Sequence, residues 1–388
     1  MRADRKWVER NLGFDPIGTP PPPATFARAE AAAPKTPEDF QREIIDFDSE
    51  GAEGQAFLAF STATGLSRFT DIPWPTALAP KPATKLTRKA SSALPRADVL
   101  VVTWTVDEGH ALSRVLTPGK DSRDDYLSYT HNYAAISAKM RNGCPAKEAK
   151  RLGAYWTTKI GGKSVVVFKS DSHMSQDGPQ MPNIDVWRQI IDEVRPKFVI
   201  TTGTAGGIGT AVEVGDVIVS ANVTFDCKSK FKNFKYDGQS IAHQHYSSAK
   251  ADTKYFAKAK SLFAANAGQL PKDNTRAPKI FTVGPRTFTH GILTTDFFGF
   301  DTSSDYYGLK DMGDVSEMGD AVLGLVATEM GDKAPPWLCI RNVSDPQIAS
   351  GTLSIRDQAK VAAQIYKGFG RWSSVCSAIT CWASIAAL

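Results

Sequence analysis

The residues best suited to acid–base chemistry are carboxylates that follow long apolar runs. Asp107 and Glu108 come after the run ADVLVVTW at 97–104, and Asp345 ends the run PWLCIRNVSD at 336–345. Such runs predict strands buried on both faces, and a buried carboxylate is costly unless it has a partner or a task. Simpler roles also fit: first-turn acids can favour a helix dipole, and Asp345 can cap a following helix.

Another apolar run, at 197–203, leads into a glycine-rich segment, TTGTAGGIG at 201–209, and the two share residues 201–203. We expect the backbone to turn sharply there, at the carboxyl end of a strand, where ligands of open α/β sheets bind. Exposed amides and the hydroxyl of Thr204 would suit an anion or a polarised water. A tight turn that needs glycine has the same composition. The segment fits neither a dinucleotide-binding nor a P-loop pattern.

Strands and helices that could position these residues alternate from Ala97 onward. Strands are predicted at 97–104, 163–170, 197–203, 215–225, 290–296 and 336–345, and helices at 107–116, 184–194, 317–331 and from 354 to the end. This alternation predicts an α/β fold with a largely parallel sheet. Two long polar stretches, near 120–155 and 227–286, are predicted to be irregular insertions that serve as lids or oligomer contacts.

The first 96 residues differ from the rest in composition. Residues 16–37 are rich in Pro and Ala and predict a linker or a disordered arm. Residues 38–74 include FQREIIDF and GQAFLAF, which predict a helix and a strand packed on the main domain. We therefore expect an N-terminal, partly disordered extension at 1–96 and a main domain at 97–388.

Composition excludes several functional classes. The 388 residues carry a net charge of +5 with basic residues spread along the chain, which argues against nucleic-acid binding. Five scattered cysteines without a CxxC pair, and six histidines without metal-ligand spacing, predict neither disulfides nor a metal site. The N-terminus lacks the apolar segment of a secretory signal, and the apolar run at 375–388 is too short to span a bilayer. We expect a cytoplasmic protein without membrane contact.

Five motifs occur in an order that resembles that of the nucleoside phosphorylase superfamily, which includes the purine nucleoside phosphorylases. Within that superfamily, the motifs are most similar to those of the methylthioadenosine/S-adenosylhomocysteine nucleosidase branch. They are the acidic segment at 107–108, TGTAGG followed by VGDVIVS, TTDFFG at 294–299, VSEMGDA at 315–321, and the strand ending in Ser344–Asp345. The resemblance implies a three-layer fold with a single mixed sheet flanked by helices. It also implies a small-molecule nucleoside substrate, no cofactor, and self-association into a homo-oligomer.

The resemblance assigns roles to individual residues. Glu108 would activate the attacking water, with Asp107 as the fallback, and Asp345 would donate a proton to purine N7. Thr204 would orient the nucleophile. The residues implied in substrate binding are Ala205, Gly206, Asp296, Phe298, Glu317, Met318 and Ser344. Among these, Phe298 would stack on the base and Met318 would lie under the sugar. A base within hydrogen-bond reach suits water, which is a poor nucleophile.

One position departs from the family pattern. Gly319 stands where the second Glu of the family's V-E-M-E-x-A segment binds ribose hydroxyls, although Glu317 and Met318 match. Asp320 lies about 100° further round a helix and is not an obvious substitute. The departure fits a different sugar, a carboxylate supplied from elsewhere, or lost activity.

The nucleophile is the second open question. In hexameric phosphorylases an Arg precedes the glycine-rich segment, but this chain has no Arg or Lys from 198 to 220. Together with Glu108, this favours water and a nucleosidase. Two alternatives remain: a phosphorylase that binds phosphate as co-substrate through Arg341 or an inserted basic residue, and a non-catalytic nucleoside-binding or regulatory protein on the same fold.

Overall fold

The structure is a computed structural model that describes residues 2–17, 35–61, 71–232, 234, 240–242, 253–283, 291–298, 308–309, 312–348 and 353–388. Its α-helices are α1 (Arg5–Leu12), α2 (Pro37–Asp46), α3 (Ala52–Phe60), α4 (Val106–Leu116), α5 (Tyr133–Ser137), α6 (Pro145–Ala149), α7 (Met174–Asp177), α8 (Asn183–Val194), α9 (Phe256–Leu262), α10 (Asp320–Met330) and α11 (Ile355–Ala387). Most of the predicted linker, residues 18–34, lies outside the described residues.

The strands are β1 (Arg2–Ala3), β2 (Lys81–Pro82), β3 (Val99–Thr103), β4 (Leu127–Tyr129), β5 (Gly153–Ile160), β6 (Lys163–Ser170), β7 (Phe198–Gly207), β8 (Val217–Ser220), β9 (Asn222–Asp226), β10 (Ser240–Ala242), β11 (Ile280–Val283), β12 (Ile292–Thr295), β13 (Val315–Glu317), β14 (Trp337–Asp345) and β15 (Gln347–Ile348). One mixed sheet contains all of them except β1 and β15, which pair with each other.

The sheet is parallel at its centre, antiparallel beyond β6 and mixed on its other side, where β11 pairs in parallel with β8 and β12 in parallel with β9 and β13. Strands β6, β3, β7 and β14 lie side by side and parallel. Beyond them, β5 pairs antiparallel with β6, and β8 pairs antiparallel with β14. The predicted fold class, a mixed α/β sheet flanked by helices, is confirmed.

Helices cover both faces of the sheet because its central strands are apolar on both sides. Every residue of β3 and β14 is buried. One face packs against α8 and α10, and the other against α4, α9 and α11. At 33 residues, α11 is about 50 Å long and buried along most of its length. Among the described residues, none of the helices combines the length and apolarity needed to cross a bilayer.

The N-terminal region packs against the last helix. Strand β1 pairs in parallel with β15, and the ring of Trp7 on α1 meets Phe369 of α11 edge-on at 6.2 Å. The segment GQAFLAF, predicted to be a strand, is part of α3, so that prediction is wrong. Ala, Gln and Leu favour a helix. In an apolar run of seven residues, periodicity alone does not distinguish a strand from a helix.

Two predictions about the chain path are also wrong. The apolar run at 215–225 forms two strands, because the hydroxyl of Ser220 bonds both the amide and the carbonyl of Asn222 and redirects the chain. The predicted insertion at 120–155 is not irregular, since it holds β4, α5, α6 and the start of β5. Strand β4 pairs with β5, which extends the sheet at that edge.

The sequence predicts a sharp backbone turn at Gly203, but the glycine-rich segment does not turn there. Strand β7 continues to Gly207 because β14 pairs with it as far as Gly206, and β13 pairs with its last two residues. The glycine meets a different need. A Cβ atom on Gly203 would lie 2.6 Å from the carboxyl carbon of Glu108, so a side chain here would displace that carboxylate.

Candidate active site

A cavity of about 680 Å³ opens where the carboxyl ends of β3, β7 and β14 meet. This volume includes the space at the open mouth of the cavity. The predicted site residues that line it are Glu108, Thr204, Ala205, Gly206, Phe298, Glu317, Met318, Ser344 and Asp345. The topology therefore brings together residues from all five motifs of the sequence.

Glu108 is held by hydrogen-bond donors from two strand ends. Its Oε1 accepts from the amide and hydroxyl of Thr204 at 2.7 and 2.6 Å. Its Oε2 accepts from Thr103 Oγ1 and from the amides of Trp104 and Thr105, at 2.9–3.0 Å. Thr105 caps the N-terminus of α4 and forms a capping box with Glu108. Glu108 is thus a first-turn acid of α4, as the simpler reading of the sequence expects, and it also lines the cavity.

Asp107, the fallback base, is not in the cavity. Its side chain is fully buried, and its Oδ1 accepts from the amide and hydroxyl of Ser49 at 2.9 and 2.7 Å. Burial raises the pKa of Asp107 to about 6. Of the two neighbouring acids, Glu108 is the one that lines the cavity.

Asp345 is a buried acid at the end of β14. The strand pairing places it beside Gly206, and a bulge between Val343 and Asp345 interrupts the register there. Ser344 Oγ donates to Asp345 Oδ1 at 2.8 Å. Burial raises the pKa of Asp345 to about 7, outweighing the opposite effect of the Ser344 hydrogen bond. Such a carboxyl can hold a proton near neutral pH and deliver it to a leaving group.

A buried ionic network forms the floor of the cavity. Arg341 forms two hydrogen bonds with Asp320, at 2.8 and 2.5 Å, and lies 3.1 Å from Glu317 Oε2. The guanidinium also stacks over the ring of Trp104, 4.7 Å from its centroid. Burial and the neighbouring Asp320 raise the pKa of Glu317. Burial lowers the pKa of Arg341, but Asp320 and Glu317 outweigh it and raise that pKa overall.

Phe298 and Met318 offer apolar surface for a ligand, whereas Asp296 does not reach the cavity. Asp296 is buried, and its carboxylate accepts hydrogen bonds from the amides of Lys228, Ser229 and Phe231, at 2.7–3.2 Å. It thereby holds the start of the 227–232 segment. The structure does not bring Asp296 together with the other predicted site residues.

Part of the cavity wall comes from residues that the sequence analysis did not select. They are Gln41, Ile44 and Ile45 of α2, together with Trp104, Thr105, His173, Ser175, Ser316 and Tyr366. The spacing of Phe40, Ile44 and Ile45 in the sequence marks an amphipathic helix that must pack on something. Nothing in that spacing identifies the surface, because it is built from distant parts of the chain.

His173 is a neutral member of this wall. Burial, with Lys169 nearby, lowers its pKa to about 3. Within the described ranges, no hydrogen-bond partner is present for its Nε2.

A second acidic cluster lies elsewhere, around His110, where Asp48, Asp107, Glu50 and Asp121 approach closely enough to hold a metal ion.

Ion pairs occupy much of that second cluster. Glu50 pairs with Arg114 at 2.7 Å and also with Arg371, and Asp48 pairs with Arg123 at 2.6 Å. Burial lowers the pKa of His110, but hydrogen bonds with Asp121 and Asp48 raise it to about 9. A protonated imidazole cannot bind a metal ion, and the nearby arginines oppose one further. The cluster fastens the chain after α2 to α4 and α11.

Comparisons with known proteins identify the family of this chain. Residues 128–369, more than half of the chain, match the phosphorylase superfamily. A 5′-methylthioadenosine/S-adenosylhomocysteine nucleosidase of Listeria innocua is 30% identical over 89 residues, which cover 22% of this chain and 35% of that protein. The matched segment thus spans about a third of the length of the curated relative.

The solved structures that this chain matches include the 5′-methylthioadenosine/S-adenosylhomocysteine nucleosidase of Neisseria meningitidis, in complex with methylthio-immucillin-A. It has a TM-score of 0.42 and 16% identity, and the match covers 75% of this chain and all of that one. The futalosine hydrolase of Helicobacter pylori has a TM-score of 0.44 and 13% identity, and the match covers 75% and 97%. The family resemblance drawn from the motifs is confirmed by the superfamily match.

Proposed function

Because this chain belongs to the phosphorylase superfamily, we propose that it cleaves the N-glycosidic bond of a purine nucleoside, with water as the nucleophile. The observation that carries the proposal is the pairing of two different acids in one cavity. Glu108 is a carboxylate held by five donors, and Asp345 is a carboxyl whose pKa is raised to about 7 by burial. Two titratable groups with such different surroundings suit a base and an acid.

In the proposed reaction a water molecule attacks C1′ of the sugar. Glu108 takes a proton from that water, and the Thr204 hydroxyl, which bonds Glu108 Oε1, helps to orient it. The bond between C1′ and the purine nitrogen breaks, and its electron pair moves onto the base. Asp345 supplies a proton to the base, which leaves as a neutral purine with a free sugar as the second product. The transition state carries positive charge on the sugar, and nearby carboxylates stabilise it.

The charge balance of the cavity supports water over phosphate. Arg341 is the one Arg or Lys among the described residues that line it, and Asp320 and Glu317 already engage its guanidinium. A phosphate would have to compete with two buried carboxylates for this cation, and separating a buried ion pair is costly. Water carries no charge and meets no such barrier.

The test is the release of free base from a panel of purine nucleosides, with and without phosphate, by wild type and Asp345→Asn. We expect release that needs no phosphate and falls at least 100-fold in the variant, since a general acid contributes about 10²–10⁴-fold. Release that requires phosphate would replace the proposal with a phosphorylase. Binding of nucleosides without release of base would replace it with a non-catalytic binding protein.

A further inference from the structure

Helix α2 brings part of the N-terminal region into the cavity. Its residues Gln41, Ile44 and Ile45 line the space beside Met318. The helix is fastened on two sides, because Glu43 pairs with Lys367 of α11 at 3.0 Å and Arg42 pairs with Glu148 at 2.6 Å. A wall held in this way can position a polar group against a ligand.

Gln41 is the polar group of that wall. Its side chain is buried, and its amide nitrogen donates to the hydroxyl of Ser175 and, at 3.1 Å, to the sulfur of Met318. Across the part of the chain that the structure describes, no group donates to the amide oxygen of Gln41. An amide oxygen can accept two hydrogen bonds, so this oxygen is available to a ligand in the cavity that Gln41 lines.

Other carboxylates on this side of the cavity are already engaged. Both oxygens of Glu317 accept hydrogen bonds, from the hydroxyl of Thr294 and from the amides of Gly319 and Asp320. Arg341 adds a charge contact at 3.1 Å. Glu317 is therefore held in place by its neighbours and paired with a buried cation.

We propose that Gln41 binds the sugar hydroxyls of the nucleoside, and that α2 thereby supplies the polar group that Gly319 lacks. Gln41 contacts Met318, the residue next to Gly319, so its amide lies close to the gap. A neutral amide and the neutral His173 suit uncharged vicinal hydroxyls. The substrate class is then a purine ribonucleoside with both the 2′ and the 3′ hydroxyl. This inference rests on the proposed function, since it concerns the same cavity.

The experiment measures, by calorimetry, binding of adenosine, 2′,3′-dideoxyadenosine and adenine to Asp345→Asn and to the double variant Asp345→Asn/Gln41→Met. The Asp345→Asn background removes the proposed general acid, so that the nucleosides are not consumed during the titration. The Gln41→Met substitution keeps the length of the side chain and removes both polar atoms. We expect adenosine to bind about tenfold more weakly, the value of one hydrogen bond, while dideoxyadenosine and adenine are unaffected. Gln55→Met is the matched control, because Gln55 is exposed on α3 and does not line the cavity.

Gln41→Glu is the rescue variant, and it should keep the preference for adenosine over dideoxyadenosine, because its carboxylate also accepts hydrogen bonds from hydroxyls. Equal weakening of all three ligands in Gln41→Met would overturn the inference and indicate a structural role. Equal binding of adenosine and dideoxyadenosine to Asp345→Asn would also overturn it, even if the wild type releases base. A preference for adenosine that depends on Gln41, without release of base, would support the subsite and refute the proposed hydrolysis.

Discussion

At the scale of single residues, Asp345 opposes the stability of the fold. Its pKa is raised from 3.8 to about 7 by burial, so the folded protein binds this proton more tightly than the unfolded chain. Between these two values, stability falls as the pH rises, because the unfolded chain releases the proton first. A residue kept at such a cost is expected to have a function.

Asp345→Asn should therefore raise the free energy of unfolding at pH 8 by roughly 2–4 kcal/mol, and by less at pH 5, since it removes the cost of the buried charge. In the same pH range the wild-type kcat/KM should fall as the pH rises through about 7, because the acid must be protonated to act. Denaturant unfolding and a pH–rate profile measure the two effects. A variant destabilised at pH 8, or a rate that rises above pH 7, would contradict the assignment.

Replacing Glu108 by glutamine should lower both the stability and the activity of the protein. The five groups bonded to its carboxylate all act as donors, so either orientation of a Gln side chain turns its NH2 group toward at least one backbone amide. We expect Glu108→Gln to lose about 2–4 kcal/mol of stability from the unsatisfied groups and at least 100-fold in kcat. Thermal unfolding and steady-state kinetics provide the measurements.

Asp107→Asn is the comparison, because Asp107 is the adjacent acid and does not line the cavity. It should keep most of the activity. If Asp107→Asn abolished turnover and Glu108→Gln retained it, the two roles would have to be exchanged.

At the scale of elements, the more buried of the two ion pairs that fasten α2 is the one between Glu43 and Lys367. Lys367→Met should weaken the contact between α2 and α11 by about 1–2 kcal/mol, since Lys367 lies 3.0 Å from Glu43 with 14% of its side chain exposed. We expect KM for the nucleoside to rise several-fold with little change in kcat, because the wall binds substrate and does not take part in bond cleavage.

Lys35→Met tests the same glutamate from the solvent side. Lys35 also pairs with Glu43, but 56% of its side chain is exposed, and exposed pairs contribute little. Kinetic and melting data should stay close to wild type. Equal effects from both lysine variants would contradict the prediction, because the pair between Glu43 and Lys367 would then contribute no more to the position of α2 than the exposed pair with Lys35.

Local sequence predicted the elements that are apolar throughout and failed where distant contacts decide the conformation. The run around Val101 gives the correct strand because burial on both faces leaves no other pattern. The segment at 54–60 forms a helix and not the predicted strand. Its composition suits both conformations, and its packing against distant residues determines which one forms. The end of β7 at Gly207 depends on pairing with β13 and β14, which local composition does not encode.

The same limit applies to the candidate site. Glu108, Thr204, Met318 and Asp345 could be found because each belongs to a recognisable motif at or near the carboxyl end of a strand, and these strand ends meet. Gln41 carries no such signal. It is one polar residue in an amphipathic helix, and its importance arises from a contact with Met318 across 277 positions of the sequence.

At the scale of the whole molecule, the thiols report on global unfolding. All five cysteines are free and buried, none more than 4% exposed. Burial also raises the pKa values of Cys376 and Cys381, which suppresses the reactive thiolate. We expect no rapid reaction of the native protein with a thiol reagent at pH 8, and reaction of all five thiols after denaturation. Fast modification of one cysteine in the native state would reveal local opening instead.

The contact between α2 and α11 also has a consequence for synthesis. The ribosome completes Phe40, Ile44 and Ile45 early, whereas the helix they pack against begins at Ile355. At 5–20 residues per second, the nascent chain exposes this apolar face for roughly 15–60 s before α11 emerges. A growing chain in that condition is a natural client for chaperones, and a premature stop codon before α11 would release a product whose cavity wall has nothing to rest on.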